Sequence, residues 1–158
     1  MPAPVPRTCA DSRSSVVRLM LPTDANFAGN VFGGVLLEEV DRVAYVTASR
    51  HAKSNCVTAS LDRVDFIAPV HVGEVVEFDA TLTSVGKSSM EVWVRIRAEA
   101  LEGGSSNLVA QAYVTMVAVD REGRPAPVPP LEPTDDDERT RAAEGRARME
   151  LRRSSRSR

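Results

Sequence analysis

The sequence is poor in aromatic residues, in cysteines and in histidines. Aromatic residues make up only 4% of its 158 residues, so Val, Leu, Ala and Ile must fill the core. The two cysteines, Cys9 and Cys56, form no Cys-x-x-Cys motif. A disulfide framework is therefore not expected, and a reducing cytoplasm suits the chain best.

The chain also lacks an excess of charge and a long hydrophobic run. Its 22 acidic and 20 basic residues give a formal net charge of −2, whereas a dedicated nucleic-acid-binding protein carries a basic surplus. No apolar run approaches the roughly 18 residues needed to cross a bilayer, and residues 1–15 contain no apolar segment typical of a signal peptide. We expect a soluble cytoplasmic protein with neither a nucleic-acid nor a membrane partner.

Two familiar kinds of catalytic centre are missing as well. His51 and His71 are far apart in the sequence, and no cluster of His, Cys, Asp and Glu has the spacing of metal ligands. No Gly-x-Ser-x-Gly motif is present either. The sequence therefore predicts neither a metal site nor the serine nucleophile of an α/β-hydrolase.

What the sequence does contain is the pattern of one helix among strands. Residues 35–51 have helical period, because Leu37, Val40, Ala44 and Ala48 recur at spacings of three and four. Runs rich in β-formers and separated by turn-like segments predict strands at 15–21, 56–67, 74–85, 89–101 and 108–120. One helix that covers one face of an antiparallel sheet makes an α+β domain.

The run 91–99 alternates cleanly between apolar and polar residues. Val92 and the even-numbered residues after it point one way, whereas Glu91 and the odd-numbered residues point the other way. One face of the sheet is therefore predicted to be buried and the other polar, with Trp93 as the exception.

The predicted domain spans residues 14–131, between two tails. Residues 1–13 are predicted to be a flexible N-terminal tail. Residues 132–158 form a charged tail that is disordered or partly helical, with Thr134 or Asp135 suited to cap the start of a helix. The alternative is an arm that packs on a neighbouring subunit.

Asp41 does not fit the pattern of the helix. It shares the face of Leu37, Val40 and Ala44, which should lie against the sheet, whereas buried carboxylates are rare unless they have partners or a task. The other interpretation is a position at the boundary of the apolar face, solvated or paired with an arginine.

The segment before the helix contains two further candidates. The pair Gly33–Gly34 allows the backbone to approach a ligand closely, and the N–H groups of a first helical turn can bind an anion or an oxyanion. Most such pairs are simply turns. Asn26 can orient a water or a carbonyl group, although an Asn in a loop is usually a turn residue.

Together these residues resemble a known family. Asn26, Gly29, the run 32–34 and Asp41 are spaced as in the hotdog-fold acyl-CoA thioesterases of the YciA and brain acyl-CoA hydrolase type. The resemblance continues through 57–74, 85–92 and 117–125 and so covers residues 14–131. It implies a single hotdog domain, in which a curved antiparallel sheet wraps a long central helix. It also implies at least a homodimer with the active site at the interface, and often a hexamer built as a trimer of dimers.

The resemblance further implies hydrolysis of acyl-CoA thioesters to free fatty acid and coenzyme A. Asp41 would act as general base on a water, or as a nucleophile, and Asn26 would position the water or the thioester carbonyl. The backbone N–H of Gly34, with its neighbour Gly33, would stabilise the oxyanion. Neither a metal nor a cofactor is implied, because coenzyme A is part of the substrate.

Substrate-binding residues are implied at three places. Phe32 and Val35 would line an acyl channel, although Phe32 is otherwise a plain core residue. Arg63 would meet a phosphate, or pair with Asp62 or Asp65. The remaining candidates lie on the strand before Arg63 and in a turn that, read alone, is a hairpin: Thr58, Ser60, Gly86, Lys87, Ser88 and Ser89.

Two other functions are compatible with the same fold. One is a non-catalytic protein that binds or senses acyl-CoA, because fold alone does not fix function. The other is a hotdog hydratase or dehydratase, which uses a His together with an acid. Here His51 lies at the far end of the helix from Asp41, which disfavours that interpretation.

Overall fold

The chain folds in the strand-helix-four-strand order that the sequence predicts, followed by one more helix. The computed structural model describes residues 4–157. The sheet strands are β1 (Ser14–Leu19), β2 (Asn55–Phe66), β3 (Glu74–Val85), β4 (Ser89–Ala100) and β5 (Asn107–Val119). The helices are a short 3-10 turn (Pro22–Asp24), α1 (Gly33–Ala52) and α2 (Asp136–Arg156).

All five strands pair antiparallel in one sheet of order β1-β3-β4-β5-β2. The inner strands β3, β4 and β5 follow one another along the chain, and β1 and β2 form the two edges. Helix α1 lies on one face, where Val40, Val43 and Ala44 pack fully buried against Phe78 and Ile96. The predicted α+β class is confirmed.

Helix α2 covers part of the other face of the sheet, which the sequence did not predict. Asp135 caps this helix by accepting a hydrogen bond from the N–H of Glu138 at 2.7 Å, as predicted for this position. Glu91 lies fully buried beneath α2, where Arg148 and Arg152 both bind its carboxylate. The face of β4 that was predicted to be polar is therefore polar but buried at Glu91, where two arginines from a distant segment neutralise the carboxylate.

The segment before β1 also differs from the predicted flexible tail. Arg7 donates its N–H to the carbonyl of Pro130 and accepts a hydrogen bond from the N–H of Glu132. Cys9 is buried, and its thiol donates to the carbonyl of Leu82 at 3.4 Å. These contacts join residues 7–13 to the folded unit, as α2 is joined at the other end. The first three residues of the predicted tail and Arg158 lie outside the described residues.

The two helices of residues 4–157 with twenty or more residues are both too polar to cross a membrane.

Candidate active site

Asp41 lies at the surface of the single chain rather than against the sheet. The buried side of α1 carries Leu36, Val40 and Val43, and Asp41 stands beside this stripe. Of the two placements that the sequence leaves open, the buried face is therefore wrong and the boundary of the apolar face is correct, because the buried stripe is centred near Val40 and Val43 and Asp41 lies at its edge. Its carboxylate accepts a hydrogen bond of 2.6 Å from the hydroxyl of Thr58 on β2.

The buried acid of α1 is Glu39, two positions before Asp41. Its side chain is 9% exposed and forms ion pairs of 3.0 Å with Arg18 and with Arg42. Arg18 also binds Asp24 in the 3-10 turn at 2.8 Å. Since every charge in this cluster has an opposite partner, its role is to fix the segment before α1 rather than to transfer protons.

The glycine pair forms the start of α1. Phe32, which precedes the helix, provides no side-chain cap, and the N–H groups of Gly33 and Gly34 have no acceptor among residues 4–157. A Cβ added at Gly34 would meet no atom within 4 Å, so the space beside this turn is open. Free N–H groups at the positive end of a helix dipole can bind an anion or a developing oxyanion.

A pocket of about 480 Å³ adjoins this end of the helix. Asn26 and Gly33 line it together with Leu36 and the exposed Phe66 at the end of β2. The side-chain oxygen of Asn26 accepts hydrogen bonds from the N–H groups of Ala28 and Asn30, so the turn interpretation holds for this atom. The side-chain NH2 group of Asn26 donates to no acceptor among the described residues and is available to a ligand.

The single chain does not join this pocket to Asp41. Eight residues of helix separate Gly33 from Asp41, which is about 12 Å at 1.5 Å per residue. Within residues 4–157 no hydrogen bond links Asn26 to Asp41. Within one copy, Thr58 therefore contacts Asp41, and Asn26 lines the same pocket as Gly33. These two pairs of residues are separated from each other.

Strand β2 is a long edge strand that presents apolar side chains to solvent. Only β5 pairs with it in the described chain, so one side of its twelve-residue backbone is open. Val57, Leu61 and Phe66 are 46%, 40% and 55% exposed along it. Open apolar edges are usually blunted or covered, so this edge is a surface suited to pair with another chain.

The other predicted binding residues fall into two groups. On β2, Ser60 donates to Asp62 and Arg63 pairs with Asp65 at 3.0 Å, which is one of the partners that the sequence offered. The turn between β3 and β4 is closed by a hydrogen bond of 2.8 Å from the N–H of Gly86 to the carbonyl of Ser89. Lys87 is exposed in that turn and Ser88 is partly exposed.

The acyl-channel candidates lie beside the glycine pair. Phe32 is 52% exposed, which disagrees with a plain core role, and Val35 packs partly buried against the core. Leu36 and Phe66 are pocket residues that sequence reasoning missed. The helical period contained the signal for Leu36, whereas nothing in the sequence placed Phe66 beside Gly33.

His51 is not part of this site. Its ring is fully buried, with Nε2 2.8 Å from the carbonyl oxygen of Pro129, and burial lowers the pKa of the ring. Ten helical residues separate it from Asp41, which is about 15 Å. The pairing of a His with an acid that a hydratase needs is therefore not formed by these two residues. In the described part of the chain, no three His, Cys, Asp or Glu side chains are grouped to hold a metal ion.

The sequence is similar to a known family model and to curated proteins. The thioesterase superfamily profile matches residues 28–104. An uncharacterized acyl-CoA thioester hydrolase, YkhA of Bacillus subtilis, is 38% identical over 87% of this chain and 80% of its own length. The cytosolic acyl coenzyme A thioester hydrolase of Rattus norvegicus is 37% identical over 92% of this chain, which spans 39% of that longer protein.

Solved structures agree over nearly the whole fold. A hexameric acyl-CoA thioesterase superposes with a TM-score of 0.91 at 40% identity, over 96% of this chain and 97% of its own. The acyl-CoA hydrolase of Staphylococcus aureus, bound to butyryl coenzyme A, coenzyme A and coenzyme A disulfide, gives 0.88 at 37% identity, over 95% and 92% of the chains. The predicted hotdog architecture is confirmed by these neighbours.

Variants of the Staphylococcus aureus hydrolase bear on the site. Three of its structures carry alanine in place of an asparagine, an aspartate or a threonine. Along that chain the asparagine and the aspartate are 15 residues apart, and the aspartate and the threonine are 17 apart. Asn26, Asp41 and Thr58 have the same spacing here.

Proposed function

The chain belongs to the acyl-CoA thioester hydrolases of the thioesterase superfamily, and on that premise we propose that Asp41 is the general base of its reaction. The reaction is hydrolysis of an acyl-CoA thioester to a free acid and coenzyme A. The observation that carries the proposal is the contact of Thr58 with Asp41, a surface carboxylate that forms no ion pair with any residue from 4 to 157. The matching spacing of the three residues substituted in the Staphylococcus aureus hydrolase supports it.

In the proposed reaction, Asp41 takes a proton from a water molecule whose oxygen attacks the thioester carbonyl carbon. The N–H of Gly34, with that of Gly33, stabilises the negative charge on the carbonyl oxygen, and one such donor is typically worth about 3–4 kcal/mol of barrier. The carbon–sulfur bond then breaks, and the thiolate of coenzyme A leaves and takes up the proton. The hydroxyl of Thr58 holds the carboxylate of Asp41 in place throughout.

A second copy of the chain completes the proposed site. Antiparallel pairing of two β2 edges around a two-fold axis near Asp62 places Phe66 of one copy opposite Thr58 of the other. In this dimer the pocket lined by Phe66, Gly33 and Asn26 of one copy lies next to Asp41 of the other copy. This arrangement removes the separation of about 12 Å within one copy.

The remaining features of the proposal follow from this dimer and from the relatives. We propose that the dimers assemble further into a hexamer, as in the hexameric acyl-CoA thioesterase that this chain resembles. Phe32 and Val35 would line the acyl channel, and the reaction needs no metal or cofactor. We also propose a cytoplasmic location, because a relative is a cytosolic enzyme.

Replacement of the base tests the proposal directly. Asp41→Asn keeps an acceptor for Thr58 but cannot take a proton, so we expect kcat to fall at least about a hundredfold. The measurement is release of free thiol over a panel of acyl-CoA substrates from acetyl to palmitoyl. Glu38→Gln is the matched control, since Glu38 lies on the same helix and pairs with Arg42 at the surface.

Two results would count against this assignment. Unchanged turnover in Asp41→Asn would remove Asp41 from the chemistry. A wild-type protein that binds acyl-CoA tightly but releases no thiol over the whole panel would be the non-catalytic binder instead.

A further inference from the structure

A network of charges joins α2 to the edge strand β2. Glu91 on β4 is fully buried, and Arg148 of α2 binds its carboxylate through Nε and Nη2 at distances between 2.8 and 3.2 Å. Arg152, one turn later, donates from Nη1 to Glu91 at 3.0 Å and lies 3.4 Å from the carboxylate of Asp62 on β2. Ion pairs therefore connect α2 both to an inner strand and to the open edge of the sheet.

The charges of this network balance only when Asp62 is included. Arg148 by itself neutralises Glu91, and the hydroxyl of Thr83 donates a further hydrogen bond to that carboxylate at 2.6 Å. Arg152 brings a second positive charge, which Glu91 alone does not require. Its Nη1 atom serves both carboxylates, whereas its enclosed Nη2 atom has no acceptor among residues 4–157. An arginine that serves a single carboxylate binds it best through two nitrogens, as Arg148 does, so Arg152 is placed to reach both acids.

Asp62 lies at an irregular position of β2. It is one of two residues of this strand that have no partner on β5, the other being Ala59, so the ladder is shifted there as in a β-bulge. Its carboxylate accepts hydrogen bonds from the hydroxyls of Ser60 and Thr115, and Thr115 lines the same cavity as Arg152. The Asp62 side chain is 15% exposed, although the residue as a whole is exposed at the open edge. The carboxylate is therefore held on the α2 face, at the border of the chain.

In the dimer proposed above, Asp62 of one copy lies opposite Asp62 of the other. A two-fold axis perpendicular to the joined sheet keeps the same face of both copies on the same side, so both carboxylates lie on the α2 face. Directly opposite residues of antiparallel strands have Cα atoms about 4.5–5.5 Å apart. Like charges at such positions oppose the pairing of the strands, so each Asp62 needs a cation from its own copy.

We propose that Arg152 makes the β2 edge compatible with a second copy of the chain, because it neutralises Asp62 where two such carboxylates meet at the dimer axis. The proposal rests on the proposed function, in which each active site needs both copies. Arg152 touches no substrate, since Thr58 and Asp41 lie on the α1 face of the sheet. It acts through the association that brings the two halves of the site together. Helix α2, which lies outside the thioesterase match at 28–104, thereby becomes part of the dimer interface.

A simpler role for Arg152 is to support the buried Glu91 within one copy. In that case the loss of Arg152 would harm the fold of the single chain, and the charge of Asp62 would not affect the outcome. In the proposed role the damage comes from Asp62 itself, so removal of its charge repairs it. The two roles therefore differ in whether a second substitution, at Asp62, reverses the first.

The association of matched variants tests the proposal. We expect Arg152→Ala to raise the dissociation constant of the dimer at least about tenfold, measured by sedimentation velocity over a dilution series. Addition of Asp62→Asn should bring the constant back to within about threefold of wild type, because asparagine keeps an acceptor oxygen but carries no charge. Added salt should also tighten the Arg152→Ala dimer, since salt screens repulsion between exposed charges. Arg152→Lys keeps the charge and should associate much as wild type does.

Arg148→Ala is the matched control. It removes a cation from Glu91 and leaves Asp62 with Arg152, so Asp62→Asn should not reverse any effect that it has. Thermal unfolding of every variant, followed by circular dichroism, shows whether the chain is folded. If Arg152→Ala does not fold, Arg152→Gln provides the same test, because glutamine keeps a polar donor in place of the charge.

Sedimentation requires no turnover, which separates this proposal from the assignment of Asp41. The same series in an Asp41→Asn background should give the same dissociation constants, even if Asp41 proves not to be the base. An Arg152→Ala protein that associates as tightly as wild type would overturn the proposal. A weakened dimer that neither Asp62→Asn nor salt restores would reduce Arg152 to a support for Glu91.

Discussion

His51 is a single residue through which the folded state becomes sensitive to pH. The ring is fully buried at the end of α1, and since a carbonyl oxygen only accepts, Nε2 must carry the proton that it donates to Pro129. Its other nitrogen, Nδ1, has no partner among residues 4–157. Burial lowers the pKa of this ring below its ordinary value of 6.5, so the folded protein keeps it neutral where the unfolded chain already binds a proton.

The sign of the resulting pH dependence follows from that difference. Below about pH 6.5 the unfolded state binds more protons than the folded state, so the free energy of unfolding falls as the pH decreases. We expect His51→Gln to flatten this dependence between pH 6.5 and the lowered pKa, by up to about 1.4 kcal/mol per pH unit. Urea denaturation at a series of pH values measures it. His71→Gln, at an exposed ring, is the control, and identical slopes for wild type and His51→Gln would contradict the expectation.

At the scale of one element, helix propensity and packing oppose each other at Gly145 in α2. A Cβ there would lie 2.7 Å from the hydroxyl oxygen of Ser84 and 3.0 Å from both Cβ of Ser84 and Oγ1 of Thr83. In an isolated helix, alanine would be favoured over glycine by about 1 kcal/mol. In this protein we expect Gly145→Ala to lower the melting temperature, because the added methyl group pushes α2 away from β3.

Thr140→Ala provides the comparison on the same helix. Thr140 is exposed, so alanine there gains helix propensity without a clash and should leave the melting temperature unchanged or raise it. Thermal unfolding followed by circular dichroism distinguishes the two substitutions. A more stable Gly145→Ala protein would mean that α2 is not packed closely on β3.

The sequence predicts some elements better than others. Elements that a local pattern determines are predicted well, whereas those that depend on contacts between distant segments are not. The strands and α1 were predicted to within two residues, because alternation and helical period are local patterns. The position of α2 was not predicted. Its few apolar residues define no strong apolar face, and the ion pair that fixes it joins Arg148 to Glu91, which is far away in the sequence. For Asp41 the sequence left two placements open, the buried face of α1 or its boundary, because a helical wheel is uncertain by about one position.

At the scale of the whole molecule, the separation of Asn26 from Asp41 predicts that two inactive variants complement each other. Asn26→Asp keeps the acceptor oxygen that the turn needs but removes the side-chain NH2 group. If each site takes Asp41 from one copy and Asn26 from the other, a mixed dimer with Asp41→Asn has one intact site. We expect an equal mixture, unfolded and refolded together, to recover about a quarter of wild-type activity.

The controls for this experiment are the two variants refolded separately. Each should stay inactive, and mixing without unfolding should restore activity only as fast as the subunits exchange. A mixture as inactive as its components would place Asn26 and Asp41 of the same copy in one site, and the proposed β2 pairing would then be wrong.

The exposure of Asp41 in the single chain affects how this sequence can change during evolution. The core beneath α1 is complete without Asp41, and the buried acid of that helix, Glu39, already has its arginine partners. A charge at the surface costs the fold no desolvation. Proteins that evolve from this one can therefore replace Asp41 or Thr58 and keep the same fold. Their catalytic activity can be lost or changed in the process.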